Sequence, residues 1–206
     1  MIFSNEEHEE DAPPVEGAGE PFAIPNEEEP LIGLVGDISE AAAQQLALML
    51  LSFNGGGILR PEEEDRPEDI EFFISSSGGS VSEMFTIYDL MQLVQVRRDI
   101  STFGYGKVAS AAVLLLAAGT KGKRYMAKHA RLMLHHCSSA LGGTMPTVRS
   151  SFQEFNKVEE MMVEALAEHT RLSMSEIYNI LSRNTDEYFS AEEANHLISI
   201  GLGDIL

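Results

Sequence analysis

The chain has 206 residues, a length that suits one domain with a sizeable core. Its formal net charge of −19 argues against a nucleic-acid partner, because a surface of this sign repels phosphate backbones. A single cysteine, no secretory signal and no apolar run of membrane-spanning length together predict a soluble, cytoplasmic protein without a membrane partner.

The first 30 residues differ from the rest of the chain. They carry ten Asp or Glu residues and no Lys or Arg, whereas the remainder has 23 acids against 14 bases. A segment so acidic and so poor in apolar residues cannot bury enough surface to offset its ordering entropy. We therefore predict a mostly disordered acidic arm at 1–30 and one folded domain at 31–206.

Strands and helices alternate along the folded part. Apolar runs predict strands, whereas apolar residues at helical spacing and capping residues predict helices. The predicted elements are, in order, strand 31–35, helix 40–52 capped by Ser39, strand 70–74, helix 80–96, strand 100–103, a turn at 104–107, helix 111–118, strands 123–126 and 131–135, helix 147–169, and a last helix opened by Ser190-Ala-Glu-Glu193 and closed by Gly201. This alternation predicts a mainly parallel α/β fold with crossover helices.

The stretch after the third strand places one serine before an entirely apolar helix. From Ala111 to Ala118 no residue is polar, and a helix that is apolar all round is buried. Ser110 could be the N-cap of this helix, accepting a hydrogen bond from an orphan amide. It could also be a nucleophile on a tight strand-to-helix turn, because Gly106, Ala109 and Ala111 are small enough to leave its hydroxyl exposed.

Two glycine-rich stretches are candidates for anion binding. Gly104-Tyr-Gly-Lys107 is not a phosphate-binding loop, because Ser101 and Val108 occupy the places of an essential glycine and of the Ser or Thr after the lysine. Ser77-Gly-Gly-Ser80 follows a strand and precedes a helix. Its backbone amides could bind an oxyanion, although an ordinary glycine turn explains the same residues.

Candidate partners for the serine lie further along the chain. Strand alternation places His135 and His136 on opposite faces, so they cannot chelate one metal together and no metal site is predicted. Either histidine could be a general base or a hydrogen-bonded interior residue. Cys137 is a rival nucleophile or a packing residue, and Asp186 could orient a histidine or be a solvated loop carboxylate.

Read together, five stretches closely resemble the Clp protease proteolytic subunit. They are Phe73–Val81, Gly106–Ala112, Ala117–Tyr125, Ala130–His135 and Tyr188–Ala194. The resemblance implies a serine endopeptidase with Ser110 as nucleophile, His135 as general base and Asp186 as the orienting carboxylate. It implies an oxyanion hole made by the amides of Gly79 and Ala111, and no cofactor.

The resemblance also implies a fold and an assembly. The fold would be the family's ClpP/crotonase-like spiral of ββα units, with helix 147–169 as a protruding handle. The assembly would be a homo-oligomer of two stacked heptamers, enclosing a chamber that an AAA+ unfoldase feeds with unfolded polypeptides. Alternatives are a catalytically silent ring subunit paired with an active paralogue, and a viral head-maturation protease on the same fold.

Within residues 31–206, three stretches depart from the family pattern. Ser77 stands where the family has proline, and His136-Cys137 replace the usual Gln-Pro after the catalytic histidine. Asn184-Thr185 replace the acidic residue and arginine that often precede the catalytic aspartate. The sequence therefore keeps the triad while changing the residues around it.

Overall fold

The computed structural model describes residues 23–24, 30–54, 67–137, 142–183 and 185–198. Within these ranges the chain forms seven strands and six helices. In chain order they are β1 (Ala23–Ile24), β2 (Leu31–Val35), α1 (Glu40–Phe53), β3 (Ile70–Ser76), α2 (Val81–Gln95), β4 (Ile100–Ala109), α3 (Ala112–Ala117), β5 (Arg124–Met126), β6 (Arg131–Leu134), α4 (Met145–His169), α5 (Met174–Leu181), β7 (Glu187–Ser190) and α6 (Ala191–Ile198).

The strands form one sheet of mixed direction. Their order is β1-β2-β3-β4-β6-β7, and β5 also pairs with β4. The inner pairs are parallel, whereas β1 with β2 and β6 with β7 are antiparallel. The predicted α/β fold with a mainly parallel sheet is confirmed, and parallel strands require the crossover helices that the chain supplies.

Local sequence signals account for most element boundaries. The Ser39 side chain accepts a hydrogen bond from the amide of Ala42 and caps α1, as predicted. Ser190 and Glu193 form the predicted capping box of α6, each side chain accepting from the other's amide. Gly201, residues 55–66 and most of the acidic arm lie outside the described residues.

The prediction for the segment after Phe103 is wrong in one respect. Residues 104–107 were expected to turn, but β4 continues through them to Ala109. Its register against β3 shifts between Ile74 and Ser76, where Gly106 has a φ of 58°. The register shift is a β-bulge, which absorbs extra residues without ending the strand. The strand therefore carries Ser110 to the carboxyl-end edge of the sheet, where ligands bind in α/β folds.

Two helices behave very differently towards solvent. Every residue of α3 is fully buried, as its apolar sequence predicts. In α4 the buried residues lie in the second half, at Met162, Val163, Ala165 and Leu166, whereas Phe152 in the first half is 54% exposed. The helix is thus anchored at its C-terminal end and projects from the sheet at its N-terminal end. Among the described residues no helix is long and apolar enough to span a membrane.

Candidate active site

Ser110 occupies the junction between β4 and α3 in a strained conformation. Its φ is 56°, the only positive value among the non-glycine residues that the structure describes. The left-handed region costs an ordinary residue roughly 1–2 kcal/mol, so the surrounding core must impose it. The alternative of an N-cap is wrong, because α3 has no side-chain cap and its N-cap position is Ala111. A strained strand-to-helix turn is instead the geometry of a nucleophile elbow.

His135 is the side chain that meets the serine hydroxyl. Parallel pairing of Ala109 with Met133 brings the ends of β4 and β6 together, and the Ser110 amide donates to the Met133 carbonyl. His135 Nε2 then lies 2.7 Å from Ser110 Oγ, a short hydrogen bond. The neighbouring His136 is exposed. Only one of the two candidate histidines therefore reaches the serine.

Asp186 approaches His135 from the start of β7, the strand next to β6. Antiparallel pairing of Leu134 with Glu187 places the residue before β7 beside the residue after β6. Asp186 Oδ1 lies 4.0 Å from His135 Nδ1, and its side chain is 49% exposed. Its other oxygen, Oδ2, accepts a hydrogen bond of 3.4 Å from the Tyr188 hydroxyl. The histidine contact is longer than a hydrogen bond, as is common for catalytic groups without bound substrate.

Two glycines bring a backbone segment against the serine. Gly78 has a φ of 93°, and a side chain there would place its Cβ 2.7 Å from the Cβ of Ser110. Gly79 has a φ of 149° and pairs with Ile38 through a single β-bridge. Glycine alone tolerates both the close approach and the backbone conformation.

Gly79 and Ala111 carry the two amides expected to bind an oxyanion. Both residues line the cavity that contains Ser110. Neither amide donates a hydrogen bond to any residue that the structure describes. Two such amides in the cavity that contains a serine hydroxyl are an arrangement that can stabilise the oxyanion of a tetrahedral intermediate.

The serine opens into a cavity of about 870 Å³. The β6 and α3 sides contribute Leu134, His135 and Ala111, and α4 forms the facing wall. Cys137 also lines the cavity. Burial raises the pKa of its thiol, and the negative charge of Glu159 raises that pKa further. The thiol therefore stays protonated at neutral pH, which disfavours the rival interpretation of Cys137 as nucleophile.

Lys107 has a local partner at the edge of the same site. Its Nζ donates a hydrogen bond to Ser77 Oγ, and Ser77 lines the cavity. Ser77 is the residue that replaces proline in the family pattern. A serine here supplies the acceptor that a proline could not, and it ties β4 to the glycine segment.

Part of the site was missed by sequence reasoning. Helix α5, which contributes Leu181 to the cavity, was not predicted, although Ser173 and Glu176 form a capping box that marks its start. Strand β7 was also missed, and its register explains why Asp186 lies beside His135. The acidic residues of α4 in the cavity wall carried no signal in sequence, because Glu is common on exposed helix faces.

A serine hydroxyl hydrogen-bonded to a histidine in a cavity of an α/β fold is an arrangement that serine hydrolases use. The Clp protease family model matches residues 28–204. The chain therefore belongs to the Clp protease family, which confirms the resemblance and the predicted enzyme class, a Clp-type serine peptidase. Neither the family match nor the names of the relatives favours the silent ring subunit or the viral head-maturation protease.

Named relatives agree with this assignment. The chain is 39% identical over 137 residues to the ATP-dependent Clp protease proteolytic subunit 2 of Rhodococcus jostii, covering 66% of this chain and 68% of the relative. The subunit 2 of Bifidobacterium longum is 40% identical over 64% of this chain and 61% of its own length. The subunit 1 of Corynebacterium jeikeium is 35% identical over 81% of this chain and 82% of its own length.

Proposed function

We propose that the chain is a serine endopeptidase whose nucleophile is Ser110, with His135 as general base and Asp186 as the orienting carboxylate. The observation that carries the proposal is the 2.7 Å hydrogen bond between Ser110 Oγ and His135 Nε2. The strained turn at Ser110 supports it, because the fold spends stability to expose this hydroxyl.

The proposed chemistry follows from the positions of these groups. Ser110 Oγ attacks the peptide carbonyl carbon while His135 Nε2 takes the hydroxyl proton. The carbonyl oxygen becomes an oxyanion, which accepts hydrogen bonds from the amides of Gly79 and Ala111. The C–N bond then breaks, His135 returns the proton to the leaving amine, and an acyl-serine ester remains. Water attacks that ester by the same route, with His135 as base, and restores the free serine.

Replacing the candidate nucleophiles one at a time tests the assignment. Ser110→Ala should reduce hydrolysis of an unstructured fluorogenic peptide by on the order of a million-fold, as loss of a serine nucleophile does. Cys137→Ala should retain hydrolysis within a few-fold, because its protonated thiol takes no part. The assignment is wrong if the serine variant keeps its activity and the cysteine variant loses it.

We also propose that the chain acts as a homo-oligomer with a separate ATPase. The relatives are named ATP-dependent, yet the one candidate phosphate loop, at Gly104–Lys107, is part of a strand here. ATP hydrolysis must then come from a partner, and an AAA+ unfoldase that supplies unfolded polypeptides fits this need. A chamber of two stacked heptamers, in the cytoplasm, is the form that the family resemblance favours.

The projecting half of α4 supports an assembly role for that helix. Phe152 is 54% exposed and Met145 is 74% exposed, whereas a lone subunit gains nothing from such exposure. Phe152→Glu should therefore shift the particle to smaller species in sedimentation velocity. Gln153→Glu, one residue along the same exposed stretch, is the charge-matched control and should leave the particle size unchanged. An unaltered large particle in the Phe152 variant would remove α4 from the interface.

The acidic arm is proposed to be dispensable for catalysis. Of its 30 residues, Ala23 and Ile24 pair with the edge of the sheet as β1. Two residues add little to the sheet, so a chain without residues 1–22 should assemble and cleave short peptides. Loss of assembly in that truncated chain would make the arm a structural part of the domain.

A further inference from the structure

The wall of the cavity formed by α4 has an apolar centre between two carboxylates. Phe155, Val158 and Met162 line the cavity at helical spacing, and Glu154 and Glu159 line it as well. At about 100° per residue, the two glutamates lie roughly 70° to either side of the apolar stripe. The stripe therefore has one acid along each edge.

The basic residues near these glutamates on α4 lie on the side of the helix away from the cavity. By the same helical angles, Arg149 and Lys157 lie on the side of α4 opposite the apolar stripe, and neither lines the cavity. Among the residues that the structure describes, no Lys or Arg forms an ion pair with Glu154 or Glu159. Residues 138–141, which lie between β6 and α4 in the chain, contain no charged side chain. The negative charge on this wall is thus not neutralised by its own helix or by the segment before it.

The floor of the cavity is apolar and lies next to the reacting atoms. Leu134, Met162 and Leu181 line it and are each only 4% exposed. Leu134 directly precedes His135, so this floor begins beside the serine and histidine. A side chain entering from a peptide attacked by Ser110 would first meet apolar surface and then the carboxylates at the rim.

A lysine or arginine side chain matches that order of surfaces. Its methylene stem can cover apolar residues while its charged end stays at the partly hydrated rim. Glu154 is exposed and Glu159 is half-buried, so both carboxylates can meet a cation without full desolvation. An acidic side chain at the same place would face like charge.

We infer that Glu154 and Glu159 are specificity-determining residues that select a lysine or arginine as the residue whose carbonyl Ser110 attacks. This inference rests on the proposed function, since it assumes that Ser110 is the nucleophile. The inferred substrates are unfolded polypeptides that are cleaved after lysine or arginine rather than after apolar residues.

The test compares peptides that differ only in charge at one position. A fluorogenic peptide with lysine on the acyl side of the scissile bond is measured against the same peptide with norleucine and with glutamate there. The wild type should show a kcat/KM about fivefold higher for lysine than for norleucine, the size expected for a partly exposed ion pair. Glutamate should be the poorest of the three, and the differences should shrink as salt is raised.

Variants of α4 then assign the preference to the two carboxylates. In Glu154→Gln/Glu159→Gln the ratio of lysine to norleucine should fall to about one. The matched control is Glu160→Gln/Glu164→Gln, which removes the same charge from the opposite side of the same helix and should keep the ratio.

Labelling of Ser110 by a fluorophosphonate probe separates the two hypotheses. A wild type that neither labels nor cleaves any peptide would refute the proposed function. A wild type that labels and cleaves but prefers norleucine to lysine would overturn the inference alone. A lysine preference that both double variants lose equally, or that neither loses, would also overturn it, because the charge would then act from outside this wall.

Discussion

The two ends of the candidate triad are held by very different surroundings. The Ser110 end lies in the core: Val108 and Ala111 are fully buried, Ala109 is 6% exposed, and α3 behind them has no contact with solvent. The Asp186 end lies on the surface, where Asp186 is 49% exposed and Tyr188 is 56% exposed. Ser110 Oγ lies 2.7 Å from His135 Nε2, whereas Asp186 Oδ1 lies 4.0 Å from His135 Nδ1.

The contrast between the two ends shows which contacts of the candidate triad the single chain fixes by itself. A buried, close-packed neighbourhood holds Ser110 in its strained conformation. An exposed carboxylate between α5 and β7 has few neighbours to fix its position. We therefore expect nucleophile and base to be set by the fold, and the orienting contact to tighten when substrate or further subunits bind.

The largest expected difference in activity is between variants of the two adjacent histidines, because His135 contacts Ser110 whereas His136 is exposed. His135→Ala should lose peptide hydrolysis by about a million-fold, comparable to loss of the nucleophile, because Ser110 then has no base. His136→Ala should change it only a few-fold, since its exposed ring lies away from Ser110. Steady-state hydrolysis measures both, and a larger loss in the His136 variant would contradict the geometry.

A smaller loss is expected at the surface end. Asp186→Asn should lower kcat by about 10⁴-fold, because the amide favours the wrong tautomer of His135. Tyr188→Phe removes only a 3.4 Å hydrogen bond to Asp186 and should cost about threefold. Tyr178→Phe on α5 is the matched control and should match the wild type. If Asp186→Asn cleaves like the wild type, this carboxylate does not orient the base.

The smallest expected effect is on thermal stability and concerns the C-terminal end of α4. This anchored end keeps one wall of the cavity in place. His169 ends this helix, its Nε2 lies 2.9 Å from the Tyr88 hydroxyl, and Arg124 donates to its backbone carbonyl. Burial lowers the pKa of His169, and the charge of Arg124 lowers it further, whereas Glu168 acts in the opposite direction. The folded chain therefore binds a proton at His169 less readily than the unfolded chain, in which a histidine is protonated below about pH 6.5.

The sign of the resulting pH dependence follows from linkage. Stability from a neutral His169 is present above the unfolded pKa and is lost as pH falls below it, because only the unfolded state takes up the proton. Between pH 7.5 and 5.5 the melting temperature of the wild type should fall more than that of His169→Gln. The exposed His129→Gln serves as control and should follow the wild type. Parallel curves for wild type and His169→Gln would exclude this linkage.

Sequence patterns were most informative where local chemistry decides the structure. The spacing of apolar residues predicts the buried helix after Ser110 and the strand that leads to His135. The hydrogen-bonding capacity of their side chains predicts the helix caps at Ser39 and Ser190. The structure confirms these elements. The catalytic roles of Ser110, His135 and Asp186 remain proposals, although the predicted residues do lie together.

The rest required information that no local pattern carries. The extension of β4 through Gly106 depends on pairing with β3 and β6, which a glycine-rich stretch does not reveal. The approach of Asp186 to His135 depends on the antiparallel register of β6 and β7. The acidic edges of the cavity depend on which side of α4 faces the serine. Each is a tertiary contact between segments distant in sequence.

Mapping the site of covalent labelling tests whether Ser110 is the nucleophile. A fluorophosphonate probe reacts with a serine only where a base and an oxyanion site activate it. Incubation of the full chain with the probe, followed by peptide mass spectrometry, should place the adduct on Ser110, and Ser110→Ala should carry none. An adduct on another residue, or an unlabelled wild type that still cleaves peptides, would contradict the assignment of Ser110 as the nucleophile.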